Sequence, residues 1–600
     1  MNRESIPGFG AEDEAPRRAP RALDAPCAWL AWAVPLIVGV GAASAEPGWD
    51  DDVGILRDLG FARVGFEGGP STLLVQLAAL LPIGGRFVRA SLVGVLALAF
   101  ASWLFFGAVR ALLDRRGAAP IHPLLALFAS SLWALGPAVL GEANRVGGAL
   151  VALALVLVVL RLLPAAFERA DARAMLATGL ATGAALAECH AAGACAALVL
   201  LAAALTARQR AALDHGAELL ASLAFAFVLF ASLRWVWPAS APVLPGVEAG
   251  AALGGVVAAF ARSVRELGAV VLVLAAAGAA LAFARGVLQR RVALPWLVLG
   301  ASGPLVAWLL PSPTGDAFGS LVPGLALAAF FPVALAQGVA LLWASRLPLA
   351  RHAAVLSVTF ASTLVLSRAD RVLLTRASPQ GVEAWTEEAF AALPPRSVLV
   401  VQTPALVRRL LASRVLHGTR PDVVVVPSGF ITAGSLGREL QRREPFAAPL
   451  LRQLWVNGTA DEYSLSGVAD ERPVFVELDS DWDRRLLEHL RPTGLWLGFS
   501  PHAIGASERR EATQRAVREA RDAVALSGGA DALDAGTRSV LGGALAGQAL
   551  ALAGLDEPAP ARRLLSAARR IDRNSPLVRE AQQLLADAAR GRMAASGRIE

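Results

Sequence analysis

The sequence predicts a polytopic α-helical membrane protein of about eleven transmembrane helices, with a small α/β extracytoplasmic domain and an α-helical C-terminal tail. Three observations carry that expectation. Of 600 residues, 55% are apolar and only 18% charged, with a mean hydropathy of +0.53, which leaves more apolar surface than a soluble core can bury. The apolar residues fall into runs long enough to cross the hydrocarbon core, about 20 residues each. From about residue 395 the pattern changes to short β-branched runs separated by polar helical stretches, and beyond about 505 to Ala/Arg/Leu-rich helix.

The chain divides accordingly into a polar lead over 1–26, a membrane domain over 27–370, an α/β domain over 371–504 and a helical tail over 505–600. The lead is rich in Pro, Arg and acids and reads as disordered and cytoplasmic. Spans are expected near 27–45, 88–110, 122–140, 146–163, 174–190, 191–207, 217–237, 266–285, 293–310, 320–343 and 352–367. Segment 27–45 follows Arg17, Arg18 and Arg21 like a signal peptide, but it lacks a small-residue cleavage site and reads as a retained first helix.

Arginine placement sets the expected orientation, because cytoplasmic loops carry an excess of basic residues. Arg110/Arg115/Arg116, Arg161/Arg169/Arg173, Arg208/Arg210, Arg285/Arg290/Arg291 and Arg346/Arg351 all fall on the face that holds the N-terminus. The intervening loops carry Glu46, Asp50, Asp51, Asp52, Asp58 and Glu67, then Glu142, then Glu188 with His190, then Asp316, while Arg57, Arg63, Arg86, Arg262 and Arg265 are exceptions. An odd number of spans puts the C-terminal domains on the outer side, facing the first acidic loop. The expected location is a bacterial inner membrane, N-terminus cytoplasmic and C-terminal domain extracytoplasmic.

In the outer domain, Ser397–Val401, Asp422–Val426 and Val474–Glu477 are continuous apolar runs alternating with helices such as 404–416, the pattern of buried parallel strands. The domain reads as a compact satellite of the bundle. In the tail, Ala544–Leu555, Ala559–Ile571 and Ser575–Ala588 read as helices, and LDEPAPARRLLSAARRIDRNSP looks like part of a tetratricopeptide-type repeat. Two readings of the tail stay open: a helical cap, or a surface for a protein partner.

Composition excludes some functions. The net charge is +7, from 56 basic and 49 acidic residues, and every basic residue is Arg, punctuating apolar runs instead of clustering as a nucleic-acid face would. The three cysteines, Cys27, Cys189 and Cys195, lie in apolar stretches and offer no disulfide framework or CxxC pair. No P-loop, GxSxG, HExxH or dinucleotide fingerprint stands between a strand and a helix.

The candidate chemistry therefore lies at the outer ends of the spans. Asp50, Asp51 and Asp52 form the densest acid cluster, able to deprotonate a hydroxyl or hold a divalent cation, or simply a solvated acidic loop. Glu142 stands where the third span ends, with Arg145 able to neutralise it. Glu188 and His190 interrupt an Ala/Leu run, and ionisable groups at membrane depth are functional suspects, although a polar hairpin turn explains them equally well. Asp316 lies in a further outer loop. Arg234 closes the seventh span, where it either grips a phosphate through paired hydrogen bonds or anchors the helix end.

Together these stretches resemble one family, the polytopic membrane proteins of domain of unknown function 2723, related to protein O-mannosyltransferases and the GT-C glycosyltransferase superfamily. Trp49-Asp50-Asp51-Asp52-Val53-Gly54, Leu59-Gly60 and Leu80-Leu81-Pro82 are similar to its W-D-S-G-E … L-G … L-L-P loop. Trp133 with Ala138-Val139-Leu140-Gly141-Glu142 resembles W … A-V-x-x-E-V-Y, and Gly179-Leu180 leading to His190 resembles G-L … H. Arg420-Pro421-Asp422-Val423, Arg472-Pro473-Val474 and Leu490-Arg491-Pro492-Thr493-Gly494-Leu495 are similar to R-P-D-V, R-P-V and L-x-P-x-G-L. The resemblance spans roughly 27–500. The sequence departs from it where Pro-His-Pro-Pro-Gly becomes Ala62-Arg63-Val64-Gly65-Phe66, and E-V-Y becomes Glu142-Ala143-Asn144.

The resemblance implies a GT-C-like membrane domain and an enzyme, a glycosyltransferase that moves a sugar from a polyprenyl-phosphate donor to a protein or envelope-glycan hydroxyl. Asp50 or Asp51 is then the general base. Asp52, Glu142, His190, Arg234 and Asp316 contact substrate, and Arg234, His190 or a divalent cation steadies the departing phosphate. The competing class is a catalytically altered relative serving as a membrane scaffold for envelope assembly, which the changed first loop favours. A transporter would need polar residues or broken helices near mid-membrane, whereas the ionisable residues here lie at helix ends.

Overall fold

In the computed structural model the described residues are 23–586, apart from 44–45, 60–62, 65–68, 115–121, 207–213, 237–242, 245–253, 285–286, 345–380, 432–434, 479–481, 483, 527–532, 534, 574 and 576. The polar lead as far as residue 22 and the expected eleventh span, 352–367, lie outside them. So do the side chains of Asp50 and Arg234, and Arg115, Arg116, Arg208, Arg210, Arg346 and Arg351.

The protein is mostly helical with a small sheet. Helices stand at the positions of the first ten expected spans, but fewer qualify as crossings by length and composition. Four do so alone, Asp24–Ala42, Arg86–Leu113, Ala149–Glu168 and Pro313–Ala340, and the number is up to six if each of two bent pairs is one span. The bends have local causes. His122–Ala134 and Pro137–Ala143 meet at 68° across Gly136, which is extended because the following proline disfavours helical geometry there. Val256–Leu267 and Ala269–Ala284 meet at 107° across Gly268. Other apolar helices, such as His190–Thr206, are too short to cross unaided.

Tight apolar packing holds the bundle. Phe105, fully buried, places its ring 5.7 Å from Trp133 and 5.6 Å from Trp296 in edge-on contacts, joining three helices. Large apolar side chains such as Trp29, Ile37, Leu96, Trp103, Phe225 and Val228 point outward, as a lipid-facing surface requires.

The α/β domain contains a five-stranded sheet. Its strands are β3 (Val398–Val401), β4 (Val424–Pro427), β5 (Val474–Val476), β6 (Leu490–Thr493) and β7 (Trp496–Phe499), in the order β4-β3-β5-β7-β6. The three expected runs are the parallel strands β4, β3 and β5, with Leu399 opposite both Val425 and Phe475. β6 and β7 form an antiparallel hairpin that the hydrophobic pattern did not announce, because Pro492 and exposed Arg491 interrupt β6. Proline is tolerated there because β6 is the sheet edge. A further two-residue parallel pair, β1 (Arg63–Val64) with β2 (Val243–Leu244), joins the first loop to a later one.

The motifs in this domain have structural roles. Arg420 forms a double hydrogen bond to Asp422 at 2.8 and 2.9 Å and also donates to the carbonyls of Phe390, Leu393 and Pro394. These donors hold the Asp422 carboxyl well below the usual carboxylate range. Arg472 lies over the Phe446 ring at 4.2 Å, and the L-R-P-T-G-L segment makes the β6–β7 turn.

The domain has an apolar core of its own around Val400, Val426 and Leu450, and it shares a second with the bundle and the tail. One apolar cluster runs from Ile55 and Leu56 in the first loop, through Val146 and Val151 of the bundle and Leu399 and Leu410 of the α/β domain, to Leu545, Leu564 and Leu565 of the tail. The tail comprises Ala506–Leu526, Ala535–Gly554, Pro558–Ile571 and a helical stretch over 577–586. It is tied to the first loop by a 3.0 Å hydrogen bond from the Trp49 indole to Thr537 Oγ1.

Candidate functional site

The acid cluster of the first loop is folded into protein. Trp49–Asp51 is a single 3₁₀ turn that continues into the helix Asp52–Asp58, so successive carboxylates point about 100–120° apart. Asp51 is 5% exposed and accepts from the backbone N–H of Gly48 at 2.7 Å and of Val146 at 3.0 Å. That second bond locks the loop onto the turn after Glu142. Gly54 completes the contact: a Cβ there would sit 1.5 Å from the Val146 carbonyl oxygen, so only glycine fits.

Asp52 points the other way, into the interface with the α/β domain. It is 1% exposed and accepts from Arg409 Nη1 at 2.9 Å, and Arg409, fully buried, also bonds Thr386 and Glu383. Burial pushes the Asp52 carboxyl up to about 8, with Arg409 pulling it down and Asp51 raising it further. The sequence reading made Asp51 a base and Asp52 a substrate contact, with a cation as the alternative. In the fold both carboxylates are instead buried, Asp51 against two backbone amides and Asp52 through Oδ1 against Arg409, because a helix docked on two partners turns them inward. Asp50 has its backbone in the same turn, and its side chain lies outside the described residues.

A second buried network lies behind the loop. Arg57 pairs with Asp58 at 2.7 and 2.8 Å and reaches Thr314 Oγ1 at 3.1 Å and Ser71 Oγ at 3.2 Å. Ser71 donates to Glu188 through its backbone N–H at 2.7 Å and its hydroxyl at 2.5 Å. Glu188 is fully buried and fits because residue 148 is glycine, whose Cβ would lie 1.6 Å from Glu188 Oε1. Glu188 stood out in the sequence as an ionisable group at membrane depth. Arg57 and Asp58 read only as loop charges.

These bonds place the first loop, the turn after Glu142, the end of the Glu188 helix, Thr314 and the α/β domain at one end of the bundle. At that end is a cavity of about 620 Å³ whose lining includes Glu142, Arg145, Arg262, Trp308 and Asp316. Glu142 ends the short helix Pro137–Ala143 and accepts from Arg145 at 3.4 Å. Asp316 lies in the first turn of Pro313–Ala344, and Arg262 projects from Gly254–Leu267. Pro304, Ala307 and Leu321 form an apolar side. The cavity thus offers two carboxylates for proton transfer and two guanidiniums for an anion.

Of the expected site residues, the fold brings Glu142 and Asp316 together. His190 starts the helix His190–Thr206, half-buried and outside the cavity lining, although its neighbour Ala191 packs against Gly315. The backbone of Arg234 lies in the helix Gly216–Val236, its side chain outside the described residues. Arg262 was missed, appearing in the sequence only as an exception to the charge bias. Among the described residues, no three His, Cys, Asp or Glu side chains gather into a set that could hold a metal ion.

No family model and no curated protein matches this chain.

Proposed function

We propose that this is a membrane glycosyltransferase that moves a sugar from a polyprenyl-phosphate donor to a hydroxyl of a protein or envelope glycan on the outer face, with the Glu142/Asp316 cavity as its reaction site. The observation that carries the reading is the convergence of two carboxylates and two arginines from three segments of the chain, beside apolar side chains at the end of apolar helices. A lipid-linked donor with its tail in the bilayer presents its phosphate at that level. Arginine suits such a phosphate because its planar fork binds two oxygens at once.

The reaction is one displacement. Asp316 takes the acceptor hydroxyl's proton as the oxygen attacks the anomeric carbon. The bond from that carbon to the phosphate oxygen breaks, and its electron pair leaves with the phosphate, held by Arg145 and Arg262. Glu142 orients Arg145 from one turn away. Attack opposite the leaving group inverts the sugar. Base catalysis of this kind contributes about 10²–10⁴-fold. The Asp51 and Glu188 networks act as positioning groups that fix the cavity rim.

The protein reconstituted in liposomes with labelled polyprenyl-phosphate sugars and envelope extract tests this. Label should reach the extract with the unmodified protein and fail with D316N. Transfer that survives in both D316N and E142Q would overturn the assignment. A scaffold without catalysis is a second reading, favoured by the burial of Asp51 and Asp52 against protein donors. It expects no transfer from any donor and an envelope defect rescued by D316N.

A further inference from the structure

A second concave surface, sharing no lining residue with the cavity proposed above, lies in the tail. The helices Ala506–Leu526 and Pro558–Ile571 enclose a groove of about 500 Å³ whose lining includes Arg518, Arg521, Arg562, Arg563, Gln514 and Ser566. None of its lining residues is acidic. On the first helix, positions 514, 517, 518 and 521 follow the three-and-four spacing of a single face, next to the buried stripe of Ala512, Thr513, Ala516 and Ala520. On the second, Ala561, Leu564, Leu565 and Ala568 are buried, which leaves Arg562, Arg563 and Ser566 facing out.

This arrangement differs from an ordinary solvated surface. Exposed helix faces usually intersperse both signs of charge, which supports the helix and limits self-repulsion. The helix Pro558–Ile571 holds four arginines and no acid, and among the described residues none of the four groove arginines is joined in an ion pair. Four like charges facing one concavity repel each other, and an anionic occupant relieves that repulsion. The acids of the first helix, Glu508, Glu511, Glu519 and Asp522, are outside the lining.

We propose that this groove binds an extended acidic peptide segment of a partner protein. The arginines supply forks for carboxylates. Gln514 and Ser566 offer the donors and acceptors that a peptide backbone needs, and Val517 gives an apolar contact between them. A pure phosphate polymer would have no use for Val517. The site is independent of the transferase reading, since D316N leaves it intact.

The test uses the full-length protein in detergent and a fluorescein-labelled hexapeptide of alternating Glu and Leu, followed by anisotropy. The unmodified protein and D316N should bind it, more weakly as salt rises. R518E/R563E should weaken binding by at least about tenfold, in keeping with the loss of two charge-assisted contacts. R569E/R570E, on the same helix but outside the lining, should retain it. R518Q/R563Q, checked for helix content by circular dichroism, should lose binding while remaining folded. Unchanged binding in the folded groove variants would overturn the proposal, as would equal binding of the peptide with Gln for Glu. So would groove-dependent binding of inorganic polyphosphate, or of phosphatidylglycerol vesicles, tighter than that of the peptide.

Discussion

Asp51 and Asp52 are 5% and 1% exposed, with their oxygens turned to backbone amides and to Arg409, whereas Glu142 and Asp316 line a cavity of about 620 Å³ beside two arginines. Both pairs lie at the same end of the bundle, and both read in the sequence as outer-loop acids. Consecutive residues at a helix start cannot face one point, so the local cluster is dispersed by the geometry that makes it a helix. Residues on separate helices that end at the same level converge on one. Local density of charge thus marks a docking element here, and the cavity gathers Glu142, Arg262 and Asp316, which are remote in sequence.

The largest effect expected from this comparison is on transfer. D316N should lower turnover about 10²–10⁴-fold while leaving the melting temperature near that of the unmodified protein. D51N should do the opposite, lowering stability with a much smaller loss of turnover per folded molecule. Equal effects of the two variants on turnover at matched folded fraction would show that Asp51 and Asp316 do not differ in role.

Next in size is the interface of the α/β domain. Removing Arg409 leaves the buried Asp52 carboxyl and the nearby Glu383 without their donor, so R409A should cost about 1–3 kcal/mol, read by chemical denaturation. R409M/D52L, which removes both partners, should recover much of that loss. An R409A protein as stable as the unmodified one would show that the contact does not hold the loop.

A smaller effect is a pH dependence from Asp52. Its carboxyl is raised from 3.8 to about 8 in the fold by burial, so the folded state binds the proton more tightly than the unfolded chain. Its contribution to stability is complete below about pH 4 and is lost as pH rises through about 8. D52N should flatten the stability profile across that window. A profile identical to that of the unmodified protein would refute the assignment.

The smallest effect on stability belongs to the Glu142–Arg145 pair, in which Arg145 is 43% exposed. R145Q should change stability by only about 0.3–0.5 kcal/mol while raising KM for the lipid-linked donor. A large stability loss without a change in KM would move Arg145 from the cavity's chemistry to its architecture.

The lipid-facing composition, the positions of the apolar helices, the three parallel strands and the helix Pro404–His417 were all legible in the residue pattern, because periodicity and run length report local burial. It also marked Glu142, Glu188 and Asp316, since an ionisable group near an apolar run is costly wherever the chain goes. The fold was needed to show that fewer helices are long enough to cross than there are apolar runs, that an edge hairpin containing Pro492 completes the sheet, and that a continuous apolar core joins loop, domain and tail. It alone decided which acids meet solvent. Packing between distant segments sets that outcome, as when Val146 claims Asp51 and Arg409 claims Asp52. A buried carboxylate must find a donor, and the nearest donor in space is not encoded by the nearest residue in the chain.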